Sequence, residues 1–204
     1  DNSGDNVTIW AYESLVTPTN LVQIGDPQYC NETCSNTVVN FTRTYACTDY
    51  TSGASWKFKF NASDTEGNVY ETSTSVSGDY ATAGASGDQY TLEKDDVIIE
   101  YHAGNDTNAT INTPSLLALR VYDADNNSYE INPAATIVFN VTKEGSGNTF
   151  TVIGSNTTNL SGYVEYNFLP DSTYNRMAQD WLGFTSTTDA CYKVNNSDNF
   201  LVNT

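Results

Sequence analysis

The sequence predicts an all-β protein built as an elaborated antiparallel sandwich. Three observations carry that prediction. Apolar and polar residues alternate in segment after segment, the alternating runs are rich in Val, Thr, Tyr and Phe, and clusters of Gly, Asn, Asp and Ser break the runs at short intervals. A period of two places one set of side chains on each face of a strand. Many short strands at this spacing fit a sandwich or barrel of antiparallel sheets.

The strands follow in order. Val7 and Ile9 alternate with Asn6 and Thr8 in a first strand over Val7–Tyr12, and Ser14–Thr19, with Pro18, reads as a spacer before Leu21–Ile24. Val39, Phe41, Tyr45 and Cys47 share a face opposite Asn40, Thr42 and Thr44, with Arg43 out of phase. Trp56, Phe58 and Phe60 oppose Lys57, Lys59 and Asn61, and Ile137, Phe139 and Val141 oppose Asn140 and Thr142. Further strands are expected at Tyr90–Leu92, Val97–Tyr101, Leu117–Tyr122, Thr149–Ile153 and Tyr163–Phe168. Turn material includes Gly104–Asn108, Asp123–Asn127, Gly145–Asn148 and Asn156–Gly162. A helical turn is expected only within Tyr174–Trp181, around Met177. Residues 1–20 form an N-terminal extension and 21–204 one sandwich body. The alternative is two lobes joined near 112–115, at Thr113-Pro114-Ser115.

Composition narrows the function. The chain of 204 residues carries 8 basic and 25 acidic side chains, a formal net charge of −17, yet only 16% of it is charged. The imbalance is a shortage of Lys and Arg, and polarity comes from Asn, Thr and Ser. No row of phosphates could be neutralised, which excludes nucleic acid as a partner, and a polybasic membrane-surface role is disfavoured. No apolar run approaches the ~20 residues of a membrane span. A start at Asp1 without a basic stretch and apolar core is what a secreted chain shows after its leader is removed. The long hydrophobic N-terminal helix of type IV pilins and archaellins is not expected here.

Cys30, Cys34, Cys47 and Cys191 form an even set, expected as disulfides; of three pairings, the favoured ones have a local bridge from the Cys30/Cys34 pair to Cys47 and a long bridge to Cys191. A zinc site at Cys30 and Cys34 is disfavoured, because His102 is the only histidine. The most specific motif is the N-glycosylation acceptor, Asn-x-Ser/Thr. It occurs at Asn6, Asn31, Asn40, Asn61, Asn105, Asn108, Asn126, Asn140, Asn156, Asn159 and Asn195. Chance supplies some of these in an Asn- and Thr-rich chain. Their use as acceptors is favoured at Asn40, Asn61 and Asn140, which fall on the polar side of expected strands.

From Leu117 onward, "ALRVYDADNNSYEINPAATIVFNVT" followed by "TNLSGYVEYNFLP" resembles the repeat of bacterial and archaeal immunoglobulin-like surface modules. Asp123, Asp125 and Asn126 match its first turn, Ala135, Ile137 and Phe139 its second strand, and Thr158, Asn159, Gly162 and Tyr166 or Phe168 its last. Asn126 stands where the repeat has Gly. The match covers a quarter to a third of the chain and implies an immunoglobulin-like sandwich. More broadly, the dense sequons and the scarcity of Lys and Arg resemble archaeal surface glycoproteins that build pili, threads, sheaths or S-layers.

Candidate chemistry is sparse. His102 has no nucleophile context, and Glu93, Asp95 and Asp96 read as a polar turn rather than a glycosidase pair. Asp123 and Asp125 alternate as in a calcium loop, but Ser128 and Ala134 stand where an EF-hand needs Gly and Glu. The competing reading is a turn whose Asp and Asn side chains bond their own backbone. No other cofactor is expected. Trp10, Trp56, Trp181 and fourteen tyrosines serve a core, a strand surface or a sugar groove. Val7 and Ile9 mark a strand that either opens its own sheet or is donated to the next subunit, giving a head-to-tail polymer. The expectation is a non-enzymatic, N-glycosylated subunit of an extracellular homopolymer. The alternative is a monomeric adhesin or carbohydrate-binding module, with calcium as its candidate ion.

Overall fold

The computed structural model describes residues 6–15, 21–31, 37–71 and 90–204, and their regular structure is almost entirely β-strand. The chain divides into two compact units, Asp1–Glu93 and Lys94–Thr204. The seam expected near 112–115 lies within the second unit, immediately before a strand that begins at Ser115. Among the described residues, no helix is long and apolar enough to cross a membrane.

In the first unit, β1 (Val7–Leu15) lies between β2 (Val22–Cys30) and β3 (Ser55–Asp64). β4 (Val69–Glu71) and β5 (Tyr90–Thr91) pair with opposite ends of β3. All of these pairings are antiparallel. β1 and β3 run in unbroken register from Val7 opposite Asp64 to Leu15 opposite Trp56. On the β2 side, Ile9 pairs with Gln28 and Ala11 with Ile24, so Gly25, Asp26 and Pro27 oppose the single residue Trp10. The bulge has local causes: Pro27 has no N–H for a ladder, and Gly25 adopts a positive φ of 61°. β2 was missed in the sequence because this interruption hides its alternation.

The alternation in β3 is realised. Register places Trp56, Phe58 and Phe60 on the same face as Leu15, Glu13 and Ala11. Their rings form a cluster with Phe41, Tyr45 and Tyr90 at centroid distances of 5.7–6.3 Å. At its centre Glu13 is only 5% exposed. Arg43 Nε donates to one carboxylate oxygen at 2.6 Å, and the Tyr45 and Tyr90 hydroxyls donate to the other at 2.9 and 3.3 Å. The expected strand over Val39–Cys47 is therefore corrected. This segment has no ladder and ends in a 3-10 turn, Cys47–Asp49. Its residues face the sheet through side chains, and Arg43, out of phase for a strand, supplies the cation for Glu13.

In the second unit, two sheets pack face to face around one core. One has the order β10 (Phe150–Thr157), β9 (Thr136–Thr142), β12 (Ala178–Thr185), β13 (Phe200–Asn203), β7 (Thr107–Asn108). The other runs β11 (Tyr163–Phe168), β8 (Ser115–Asp123), β6 (Val97–Ala103). All neighbours are antiparallel except β13 and β7. Leu117, Leu119 and Val121 from the short sheet meet Ile137, Phe139 and Trp181 from the long one, all fully buried. Trp181 stacks near Phe139 and Phe200, and its Nε1 donates to Gly104 O at 3.1 Å.

The expected helical turn around Met177 is also corrected. Ala178 already pairs with Asn203 as β12 begins, and the Gln179 side chain takes over the local hydrogen bonding. Its Oε1 accepts from the Thr142 hydroxyl and Gly145 N–H, while its Nε2 donates to Asn175 O. Asp180 completes the buried network by accepting from the Ser146 hydroxyl and Gly147 N–H, each at 2.7 Å. Cys30, Cys47 and Cys191 are all disulfide-bonded. Cys34 lies outside the described residues.

Candidate functional site

The short sheet of the second unit turns one face to the core and the other outward. Tyr163, Arg120 and Glu100 sit in one cross-strand row on the outward face, with Tyr122 and Ile98 in the next. Tyr129, in the loop after β8, reaches back over the sheet. Its hydroxyl donates to Glu100 Oε2 at 2.8 Å, which holds the phenol protonated and raises its pKa. The Arg120 guanidinium is clamped between two rings, 3.6 Å from the centroid of Tyr129 and 4.5 Å from that of Tyr163. Its Nε donates to Ser161 O at 3.2 Å. Tyr122 meets Tyr129 edge-on at 4.9 Å, and the exposed His102 packs on Tyr163 at 4.7 Å. The result is a preformed strip of aromatic faces bordered by a guanidinium, a carboxylate and an imidazole.

Asp123 and Asp125 are placed in one turn, as expected, and their oxygens are engaged by protein donors. Asp123 Oδ1 accepts from the N–H groups of Asp125 and Asn126, and its Oδ2 accepts from Asn126 Nδ2 at 2.7 Å. Asp125 Oδ2 accepts from Asp96 N–H at 2.7 Å. The turn thus closes by Asx-type bonding to its own backbone. Among the described residues no group of three or more His, Cys, Asp or Glu is arranged to hold a metal. Beside the turn, burial raises the pKa of Asp95, and the charges of Asp123, Asp125 and Asp96 add to the shift.

Several residues of the stretch from Leu117 onward have clear structural tasks. Thr158 Oγ1 accepts from Ala135 N–H, and Asn159 Oδ1 accepts from Ser161 and Tyr163 N–H. Gly162 adopts φ +80° with its α-carbon against Val121 O, where a Cβ would collide. Tyr166 stacks on Phe139, and Phe168 is buried.

The sequons fall into groups. Asn6, Asn31, Asn40, Asn105, Asn108, Asn126, Asn156, Asn159 and Asn195 are exposed, whereas Asn61 and Asn140 are half-buried with Oδ1 enclosed and unbonded. Among the described residues, the hydroxyl residue that an acceptor needs is buried in three cases, Thr142 after Asn140, Thr158 after Asn156 and Ser197 after Asn195. The amide nitrogens of Asn126, Asn156 and Asn195 already donate within the fold. Asn40, Asn108 and Asn159 keep both the asparagine and the hydroxyl residue exposed.

Val7 and Ile9 occupy the middle of their own chain's first sheet. Val7 lies between Cys30 and Asp64, and Ile9 between Gln28 and Ala62. Sequence reasoning missed Arg120 and Tyr129. The available signal was an arginine, one of only eight basic residues, at the outward phase between buried Leu119 and Val121. No protein-family model matches the chain, and no curated protein proved similar to it.

Proposed function

We propose that this protein is a structural subunit of an extracellular, N-glycosylated homopolymer, a filament or a sheath. The observation that carries the reading is the exposure of nine of its eleven sequon asparagines, on turns, loops and strand ends. Three disulfide-bonded cysteines suit an oxidising exterior. The strand order of the second unit, with β7 running parallel to β13 at the end of the long sheet, supports an immunoglobulin-like sandwich.

Edges are available for strand-mediated contacts. β2 borders the first sheet with Val22 and Tyr29 more than 60% exposed, and β10 carries the exposed Val152. A cleft of about 210 Å³ opens between β10 and β11, lined by Ile153, Tyr166, Leu169 and Tyr174 among others. Exposed edges pair readily with a second chain. In the exchange version of assembly, a neighbour's β1 takes the slot between β2 and β3 that this chain's own β1 fills.

Electron microscopy of the native material, with mass spectrometry of its glycopeptides, tests the whole reading. Polymers modified at exposed sequons such as Asn40, Asn108 and Asn159 are expected, and a bare monomer overturns it. If sugar is added after folding, Asn140, Asn156 and Asn195 stay unmodified. Exchange has its own test, because Tyr12 lies opposite Lys59 in the β1–β3 ladder. A Tyr12→Cys/Lys59→Cys variant crosslinks within one chain if β1 stays at home. It crosslinks between chains, giving a ladder on denaturing gels, if the strand is donated.

A second reading, a monomeric adhesin or carbohydrate-binding module, is favoured by the aromatic strip around Arg120. It predicts a soluble monomer whose tyrosine fluorescence responds to added saccharide.

A further inference from the structure

We propose that the outward face of β6, β8 and β11 is the seat of the protein's own glycan, carried on Asn159. The inference rests on the reading of Asn159 as an occupied acceptor, and goes on to say where its sugar lies. Asn159 begins the turn that leads into β11. Its N–H donates to Tyr163 O at 2.8 Å, Gly162 N–H returns to Asn159 O at 3.0 Å, and its Oδ1 accepts from Tyr163 N–H at 3.0 Å. The asparagine is thus fixed at the rim of the strip, four residues before the ring that forms one side of the Arg120 clamp. The bonds engage Oδ1 and leave Nδ2, the atom that carries sugar, without a partner among the described residues. Asn126, in the turn after β8, instead commits Nδ2 to Asp123. Asn159 is therefore the better tether.

The chemistry of the strip matches a pyranose. Such a ring has an apolar C–H face that lies flat on a tyrosine, and a circumference of hydroxyls that bond planar charged groups. Tyr163, Tyr129 and Tyr122 are half-buried and keep part of their ring surface toward solvent, and the exposed Glu100 and His102 supply polar groups at the border. Arg120 is immobilised by both rings and by Ser161 O, so it offers its terminal amino groups without further loss of freedom. A tethered sugar also gains effective concentration over a free one, so weak stacking suffices.

The test uses the glycosylated protein from its natural source or a glycosylating host. Ser161→Ala abolishes the sequon and preserves every backbone bond of the turn and the Asn159 side chain. Tyr163→Ala removes the stacking face. Glycopeptide mass spectrometry first reports Asn159. If it is bare in the wild type, the glycosylation reading fails at this site and the inference falls with it. If it is occupied, each single change lowers Tm by a few degrees, and the double variant falls no further than the more damaging single, because both remove one interaction. Additive losses overturn the inference while leaving the glycosylation standing. A Ser161→Ala protein that binds added free saccharide as tightly as the glycosylated wild type also overturns it, since the face would then be an open receptor site.

Discussion

The two units solve the burial problem differently from the same sequence pattern. In the second, the alternating faces of two sheets close on each other, and residues such as Leu119, Phe139 and Trp181 lose all contact with solvent. Every member of that core lies between Val97 and Val202. In the first, ten consecutive residues of β3 are all half-buried, and the aromatic face of the sheet gathers around a buried carboxylate, Glu13. A core of transferred apolar area is tolerant of small shifts and costly to hollow out. A buried charge is held by three directional partners and is sensitive to each of them. Alternation tells which face is apolar, and only packing tells whether that face becomes a core or a setting for a polar network.

The contrast can be broken most forcefully in the second unit. Trp181→Ala removes the largest fully buried side chain and its contacts with Phe139 and Phe200, and should cost about 3–5 kcal/mol. Urea unfolding measures the loss. Hydrogen exchange should place it in β8, β9 and β12 before β1 and β3, and equal loss of protection in all five would remove the distinction between the units.

In the first unit, Arg43→Met leaves Glu13 enclosed without its cation. Because more than a third of the Arg43 side chain is exposed, the expected cost is smaller, about 2 kcal/mol. Glu13→Gln in the same chain should recover part of it, since an amide has no charge to strand. A failure to recover would mean that Arg43 acts by packing on Tyr45 rather than through charge.

The tyrosines of this network add a pH signature. Burial raises the pKa of both Tyr45 and Tyr90 in the folded state. The unfolded phenols therefore release protons first, and their contribution to stability is constant below about pH 10 and falls above it. Denaturation midpoints between pH 9 and 11 should show this decline, and Tyr45→Phe should flatten it. Burial also raises the pKa of Tyr192 in the second unit, so some decline persists in that variant.

The smallest effect is expected at Asp95. Its raised pKa means that the charged form is disfavoured in the folded state. The penalty is present at neutral pH and is relieved as the pH falls through the folded pKa. Asp95→Asn should therefore raise Tm slightly at pH 7, with the two proteins converging near pH 4 and below. A gain independent of pH would point to a hydrogen bond of the new amide instead.

Where a segment's partners are its own neighbours, the sequence was readable. The face of Trp56, Phe58 and Phe60, the Tyr163–Phe168 strand and the buried trio Ile137, Phe139 and Val141 follow from a period of two. The Asp123 turn and Gly162 follow from residue chemistry, a short side chain that bonds its own backbone and a backbone without a Cβ. The same local logic misread Val39–Cys47, since alternation there serves side chains reaching for Glu13 rather than a ladder. It passed over β2, where Gly25 and Pro27 break the pattern. Arg120 falls at an outward strand position, and nothing nearby in the chain announces that Tyr129 and Tyr163 would clamp it.

Sequence by itself determined the all-β class, the scarcity of Lys and Arg, and the eleven positions of the Asn-x-Ser/Thr motif. Tertiary structure decided which of those sites reach solvent with their hydroxyl residue and which are locked into the fold. It also assembled the aromatic strip and the Glu13 network. Strand period and acceptor motifs are properties of a few neighbouring residues, whereas exposure and clamping depend on side chains brought together from distant parts of the chain.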